Sequence, residues 1–316
     1  MNILRTALLL IITLVVVPVF SYYFGTPLNE ISVEALTLLA KICLGAIIYC
    51  FILGELTGNN SQVDKLWSLL PIVYVWIVAH YGGYSTRLIV MATLVSFWGI
   101  RLTYNFSRHG AFTIRFWEGE EDYRWAVLRA RPEFQAKWKW TLFNLFFICG
   151  YQQILILLFT LPIIIALQFN ETPFGYIDII IAGLMLFFII YETIADNQHW
   201  KFQSEKWKRI NADENLEGDY KKGFLDKGLW AFSRHPNYFA EQAVWLSFYL
   251  FSIYTSSEWL NWSIAGSLLL VVLFQGSSNF SEEISTEKYP LYKEYQKRVP
   301  RFFGLRKKQN ASSTKS

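Results

Sequence analysis

Charge is scarce in this chain. Asp, Glu, Lys and Arg make up 17% of the 316 residues, while 53% are hydrophobic and 18% aromatic. Soluble domains carry about 25% charged residues. Three blocks, 7–24, 140–170 and 242–257, hold no charge at all. About 20 apolar residues cross a bilayer as one helix. The missing charge therefore excludes an ordinary soluble domain and predicts an all-α, polytopic membrane helix bundle. Cysteine is equally thin: Cys43, Cys50 and Cys149 all lie in apolar segments. So odd and scattered a set offers neither a disulfide framework nor metal-ligand spacing, and packing between membrane helices accounts for it. Histidine is limited to His80, His109, His199 and His235, in different segments and without pairs at helical spacing. That excludes a histidine-box di-iron oxidase, and no metal site is expected. Neither a Gly-x-Gly-x-x-Gly fingerprint nor a Walker loop occurs. Any nucleotide would have to be held by the helices and their cytoplasmic ends. No internal repeat is present.

Lys and Arg are missing from 140–200 and from 236–287. Of the 29, seven fall in 108–139, eight in 201–234 and nine in 288–316. Basic loops stay cytoplasmic. This clustering orients the chain, and nucleic-acid binding is not needed to explain a net charge of +4. Eight spans are expected, near 4–24, 35–55, 66–81, 87–107, 141–168, 176–197, 238–256 and 259–277. The connections near 25–34, 82–86, 169–175 and 257 carry no Lys or Arg, whereas 56–65, 108–140, 198–237 and the tail do. Both termini then face the cytoplasm. Arg5 ahead of an apolar run resembles a signal peptide, but the run is too long and no small-x-small site follows, so it reads as a retained first helix. The expected organisation is a pair of N-terminal helices (1–60), a main membrane domain (61–305) and a polar, disordered tail (306–316). Pro162 kinks the fifth span or ends it early. The aromatic and basic loop 108–140 suits the membrane interface.

Polar residues that interrupt the spans are the candidates for chemistry, because ionisable groups in a membrane helix are costly and mark function by default. Glu192, Asp196, His199 and Gln203 fall at i, i+4, i+7 and i+11, one face of one helix. A helix end emerging into water would equally account for Asp196 and His199. The densest polar run is Ser233-Arg234-His235-Pro236-Asn237-Tyr238, with Glu241 one turn on. Proline favours the first position of a helix, so Pro236 is expected to open the seventh span. Free N–H groups in that first turn, beside Arg234 and His235, would attract an anion, phosphate above all. Asn237 and Glu241 share a face and could hydrogen-bond ribose hydroxyls or an amide, while Tyr238 could stack or donate. A capped helix start explains Arg234 and Pro236 but leaves Asn237 and Glu241 without purpose. In the fourth span, Arg101 either snorkels or joins Arg108 and His109 as a phosphate partner. Asp64, at the cytoplasmic start of the third span, is either an acid in a substrate pocket or an N-cap carboxylate. The polar stretch 278–295 either closes over the cytoplasmic mouth or forms an amphipathic tail.

Several of these elements occur together: Val63-Asp64-Lys65-Leu66-Trp67-Ser68, Trp98-Gly99-Ile100-Arg101-Leu102, Glu121-Asp122-Tyr123-Arg124-Trp125, Glu192-Thr193-Ile194-Ala195-Asp196-Asn197-Gln198, the 233–238 run with Glu241, and Lys288-Tyr289-Pro290. As a set covering roughly 60–300 they resemble the steroid 5-alpha-reductase superfamily of the C-terminal-domain type, in its branch of uncharacterised substrate. Sterol C=C reductases and isoprenylcysteine carboxyl methyltransferases carry relatives of the Arg-His-Pro-Asn-Tyr element. The resemblance implies NADPH bound among cytoplasmic helix ends, with hydride delivered to the β-carbon of an enone or related unsaturated lipid. It implies cofactor contacts from Asn237 and Glu241, flanked by Arg234, His235 and Tyr238. Glu192 and Asp196 would contribute from the sixth span, Arg101 and Arg108 from the fourth. Asp64 takes the place of an acidic residue that steroid reductases use near the substrate carbonyl. Those enzymes also place a catalytic tyrosine in the fourth span. The corresponding position here is Phe97, and Tyr104, about two turns on, is the expected substitute. That departure argues against a 3-oxo-steroid substrate while leaving the cofactor site intact.

Three functions follow as alternatives. The first is a membrane-embedded NADPH-dependent reductase of a carbon-carbon double bond in a steroid-like or other lipid, with Asp64 or Tyr104 as the acid. The second is a lipid methyltransferase using S-adenosylmethionine at the same corner, which needs no acid to protonate carbon. The third is a non-enzymatic membrane scaffold. The expected partners are a lipid-like small molecule and the surrounding membrane lipids. The membrane would be the endoplasmic reticulum in a eukaryote and the inner membrane in a bacterium.

Overall fold

The computed structural model describes residues 25–304 together with Val16, Val19 and Tyr23. Apart from those three residues, the expected first span lies outside the described residues, as does the polar tail. Every regular element among the described residues is helical. Helix α1 (Glu30–Thr57) starts where the Asn29 side chain accepts the Ser32 N–H at 2.9 Å, with Glu30 in the first turn. It stops at Gly58, whose φ of 70° turns the chain and lets its N–H reach the Gly54 carbonyl. Helices α2 (Gln62–Tyr81) and α3 (Thr86–Ser107) follow. Val63, Trp67, Leu70, Tyr74 and Val78 are buried along α2 at spacings of three or four, the stripe an inward-facing helix needs.

The short helix α4 (Tyr123–Arg129) lies in the aromatic and basic loop. The fifth span is assembled from α5 (Lys137–Phe143), a π-helical segment (Asn144–Tyr151), α6 (Gln152–Thr160) and α7 (Pro162–Gln168). Pro162 ends α6 and opens α7, where its missing N–H costs nothing. Along the π segment Phe143, Phe147 and Tyr151 stack nearly parallel, with centroids 4.9 and 5.4 Å apart. The remaining helices are α8 (Tyr176–Asn211), α9 (Gly218–Lys222), α10 (Pro236–Ser256), α11 (Ile264–Lys288) and α12 (Tyr292–Arg298).

Among the described residues, six helical stretches are long and apolar enough to cross a membrane: Glu30–Thr57, Gln62–Tyr81, Thr86–Ser107, Lys137–Gln168, Tyr176–Asn211 and Ile264–Lys288. The protein is a polytopic membrane helix bundle. The seventh expected span forms as α10, opened by Pro236, but Asn237, Glu241, Gln242 and several serines leave it outside that apolar set. Several boundaries move: the second, third and fifth spans start at 30, 62 and 137 rather than 35, 66 and 141, and the eighth runs to Lys288 rather than 277. The sixth span was expected to end at 197, yet α8 runs to Asn211, because Phe202 and Lys206 are buried and continue its inward stripe past the charges. The eighth begins at Ile264 rather than 259, since a polar turn built on Asn261 precedes it.

The chain divides into two compact units. Among the described residues, the larger holds those up to Leu186 and Trp245–Leu270; the smaller holds Phe187–Val244 and 271–304. The larger unit is centred on aromatics: Phe159 lies 4.1 Å from Trp245 and 5.9 Å from Trp67, and Trp98 meets Trp245 edge-on at 4.9 Å. At Gly266 a helix presses backbone against backbone. A Cβ there would come within 2.2 Å of the Leu158 carbonyl carbon and the Phe159 nitrogen. Since no side-chain rotamer relieves that clash, Gly266→Ala is expected to destabilise by about 1–3 kcal/mol, as overpacked cores do. A lowered unfolding temperature in detergent checks it; an unchanged one would mean that the two segments part easily.

Candidate functional site

In the smaller unit, α8 carries its polar face into α10. Asp196 Oδ1 accepts the Asn237 amide N–H at 3.1 Å. Glu192, Asp196 and Glu241 are all buried, and Asn237 is half-buried. Glu192 lies one turn before Asp196 on α8, and Glu241 one turn after Asn237 on α10, so the two helices concentrate hydrogen-bond acceptors here. One turn further, His199 stacks on Trp230 at 5.0 Å and meets Gln203 at 3.4 Å. The Trp230 indole donates to the Ala195 carbonyl, and Gln198 Oε1 accepts the Leu229 N–H. The face is therefore covered by the segment 228–231, and Asp196 and His199 are not a solvated helix end. Lys206 extends it by another turn, buried, donating to the Gly223 carbonyl and to the Tyr289 hydroxyl at 2.9 Å each. The sequence reading missed Lys206; its period along α8 was the signal.

The sequence led us to expect Arg234 and His235 to face a phosphate. Their partners are internal. Arg234 donates to both oxygens of Glu282, at 2.7 and 3.2 Å, and through Nη1 to the carbonyls of Gln296 and Val299. Four of its five N–H groups are thereby used. His235 Nε2 lies 3.0 Å from the same carboxylate, which also accepts from Gln296 at 2.8 Å and lies 3.4 Å from Arg301. Burial pushes the His235 imidazole below its ordinary pKa, and the hydrogen bond to Glu282 pulls the other way. The backbone donors just ahead of α10 are used too: the N–H groups of Arg234 and His235 go to the carbonyls of Pro300 and Arg301, both at 3.0 Å, and in the first turn the Tyr238 N–H goes to Asn237 Oδ1. Donors spent on protein acceptors are not offered to an anion. Tyr238 lies face to face with His235 at 5.2 Å and against Phe274 at 4.7 Å.

The other candidates belong to the larger unit. Residues 59–65 grip the loop 116–129 almost in register. Asn59 and Gln62 donate to the carbonyls of Gly119 and Trp117 at 2.9 Å each. The fully buried Lys65 ammonium donates to the carbonyls of Phe116 and Glu118. Glu121 Oε1 accepts the Asn60 N–H and the Arg129 guanidinium, and Ser61 Oγ accepts the Asp122 N–H. Asp64 is not the N-cap: it is the third residue of α2, and its Oδ2 accepts the Trp125 indole N–H at 2.9 Å. Burial disfavours the neighbouring Asp122 carboxylate, but the Arg124 guanidinium and its hydrogen bonds outweigh that and hold the pKa below its ordinary value. Tyr104 is 65% exposed, with the Arg108 guanidinium 5.5 Å above its ring. Arg108 itself folds back onto Asn105, as does His109, while Arg101 is half-buried. The structure thus brings Glu192, Asp196, Asn237 and Glu241 into one unit with the Arg234–His235–Tyr238 corner, and leaves Asp64, Arg101, Tyr104 and Arg108 in the other.

The family described as Protein of unknown function (DUF1295) matches residues 50–299. The chain belongs to this DUF1295 family. A similar relative is an uncharacterized protein of Schizosaccharomyces pombe, 41% identical over 276 residues, which are 81% of this chain and 78% of that protein. No solved structure matches. The DUF1295 span contains every candidate site residue, Glu282, which the sequence left open between a lid and a tail, and Gln296, which it did not single out. Pro300 and Arg301, whose carbonyls complete the corner, fall just beyond it.

Proposed function

We propose that this protein is a membrane-embedded, NADPH-dependent reductase of a carbon-carbon double bond in a lipid. The observation that carries the reading is the Asp196–Asn237 hydrogen bond, which joins the polar stretches of α8 and α10 on which Glu192, Asp196 and Glu241 are buried. Carboxylates accept from ribose hydroxyls and an amide matches a carboxamide, so these residues fit the ribose and nicotinamide parts of a dinucleotide. The resemblance of the same residues to the steroid 5-alpha-reductase superfamily supports the choice of NADPH. When bound, the cofactor would supply the hydride. Within the smaller unit, Asn237 and the acids would orient it. Glu282 would fix Arg234 and His235, and through His235 the stacked Tyr238 ring. Arg234 then acts as a positioning residue, its donors being used internally. The acid that protonates the second carbon is not assigned in this unit.

One observation favours a second reading. A corner whose arginine and preceding backbone N–H groups are bonded within the protein suits a ligand with ribose hydroxyls and no phosphate, as in S-adenosylmethionine. Titrating the full-length protein in lipid nanodiscs with each compound decides between them. Saturable NADPH fluorescence is expected, weakened about tenfold by Asn237→Ala or Glu241→Ala, the scale of one hydrogen bond to a charged group. Binding of S-adenosylmethionine alone would sink the reductase.

A further inference from the structure

The residues on either side of the Arg234 clasp are out of place for a water-facing surface. Phe303 is 85% exposed, and Phe232, on the other strand of the clasp, is exposed as well. Leaving a phenylalanine in water forgoes roughly 1.5–3 kcal/mol of transfer free energy. Phe303 is not isolated. It stacks on Phe239 at 5.8 Å, and Phe239 meets Phe188 at 5.9 Å and Tyr191 at 6.1 Å on α8. The neighbouring α8 side chains Phe187, Ile190 and Ile194 are exposed, on a helix long and apolar enough to cross a membrane. Their surroundings are lipid, and the aromatic chain extends that lipid-facing surface to Phe303.

Depth agrees with this. Tyr191 lies about 22 Å along α8 from Tyr176 at 1.5 Å per residue, and the hydrocarbon layer is about 30 Å thick. About 8 Å remains to its far edge, within the 5–10 Å to which interfacial segments enter. In the helix ahead of the segment, α12, Lys297 pairs with Glu294 and Arg298 lies 3.8 Å from Asp226, while Lys293 is exposed. The charge of Lys293 complements lipid phosphates.

We propose that residues 299–304 form a membrane-interface anchor, with Phe303 seated at the boundary of headgroup and acyl chain. The same six residues supply the carbonyls of Val299, Pro300 and Arg301 that hold Arg234 and His235. Lipid docking therefore holds the corner in register, whichever cofactor binds there.

The experiment uses the full chain in lipid nanodiscs with Phe303→Cys carrying an environment-sensitive fluorophore. The three native cysteines are buried, so the label stays at 303. Phospholipids bearing a nitroxide near the headgroup are expected to quench at least about half of the emission, and aqueous iodide little, as for a ring at interfacial depth. Stronger quenching by iodide than by the shallow nitroxide overturns the anchor. Coupling is read separately by hydrogen exchange at the Arg234 and His235 amides. Phe303→Asp should speed it about tenfold or more, as local opening of a docked segment does, while Phe303→Trp should leave it unchanged. Equal exchange in the two variants overturns the coupling. Neither readout requires NADPH.

Discussion

Replacing Glu282 by alanine is expected to destabilise the protein by about 3–5 kcal/mol, the usual cost of stripping one partner from a buried ion pair. Its carboxylate is the common acceptor for Arg234, His235 and Gln296, and Arg301 lies within ion-pair range. Without it the Arg234 guanidinium, only 10% exposed, keeps its charge and loses its counter-ion. Glu282→Gln should cost less, since one oxygen still accepts while the new amide N–H meets donors. Exchanging both partners, Glu282→Leu with Arg234→Met, should recover much of the loss, because apolar replacements of buried pairs are often neutral. Thermal unfolding in detergent micelles, followed by tryptophan fluorescence, measures all three. A single alanine variant within about 0.5 kcal/mol of the parent, the scale of an ordinary surface substitution, would show that the carboxylate is not the hub.

The second large effect is expected in the other unit. Arg87 and Asp178 form a two-pronged ion pair at 2.6 and 2.9 Å, with side chains 3% and 0% exposed. Arg87 also donates to the carbonyls of Thr172 and Pro173, and Asp178 accepts the Gly175 N–H at 2.9 Å. The pair therefore ties the first turns of α3 and α8 to the turn at 172–175. Arg87→Ala removes four donated bonds and leaves a buried carboxylate, so a loss of about 3–5 kcal/mol is expected. Arg87→Lys keeps the charge but not the fork, and should recover only part of it. The same unfolding assay checks this. Full rescue by lysine would contradict the argument that geometry, not charge alone, holds these turns. The pair also explains why an arginine sits at an end of the bundle where loops otherwise lack cations: its charge is matched within the protein.

How much of this was legible beforehand depends on whether the cause was local. The helix at Pro236 and the break at Pro162 could be read because proline acts on its own turn. The α8 face was legible because residues 192, 196, 199 and 203 keep one period. Its continuation to Asn211 was hidden by Lys201, Lys208 and Arg209, which look like a cytoplasmic loop; burial of Phe202 and Lys206 decides it. The role of Glu282 was not legible at all, since its partners lie 47 and 48 residues earlier and 14 and 19 later. Asp64 offered two local readings, and a residue 61 positions away, Trp125, supplied a third. The π segment left no mark that composition or periodicity could show.

The order in which the chain is made sets a last consequence. Synthesis proceeds from the N-terminus, and earlier parts begin to fold first. Arg234 waits for Glu282, 48 residues later, and then for carbonyl groups at 296, 299 and 300, while His235 waits for the carbonyl at 301. Until those residues are made, a buried-type arginine lacks its full set of partners. Ribosomes stalled shortly before position 300 would carry membrane helices already made beside a corner still open, and that unfinished state is where quality control would meet this protein.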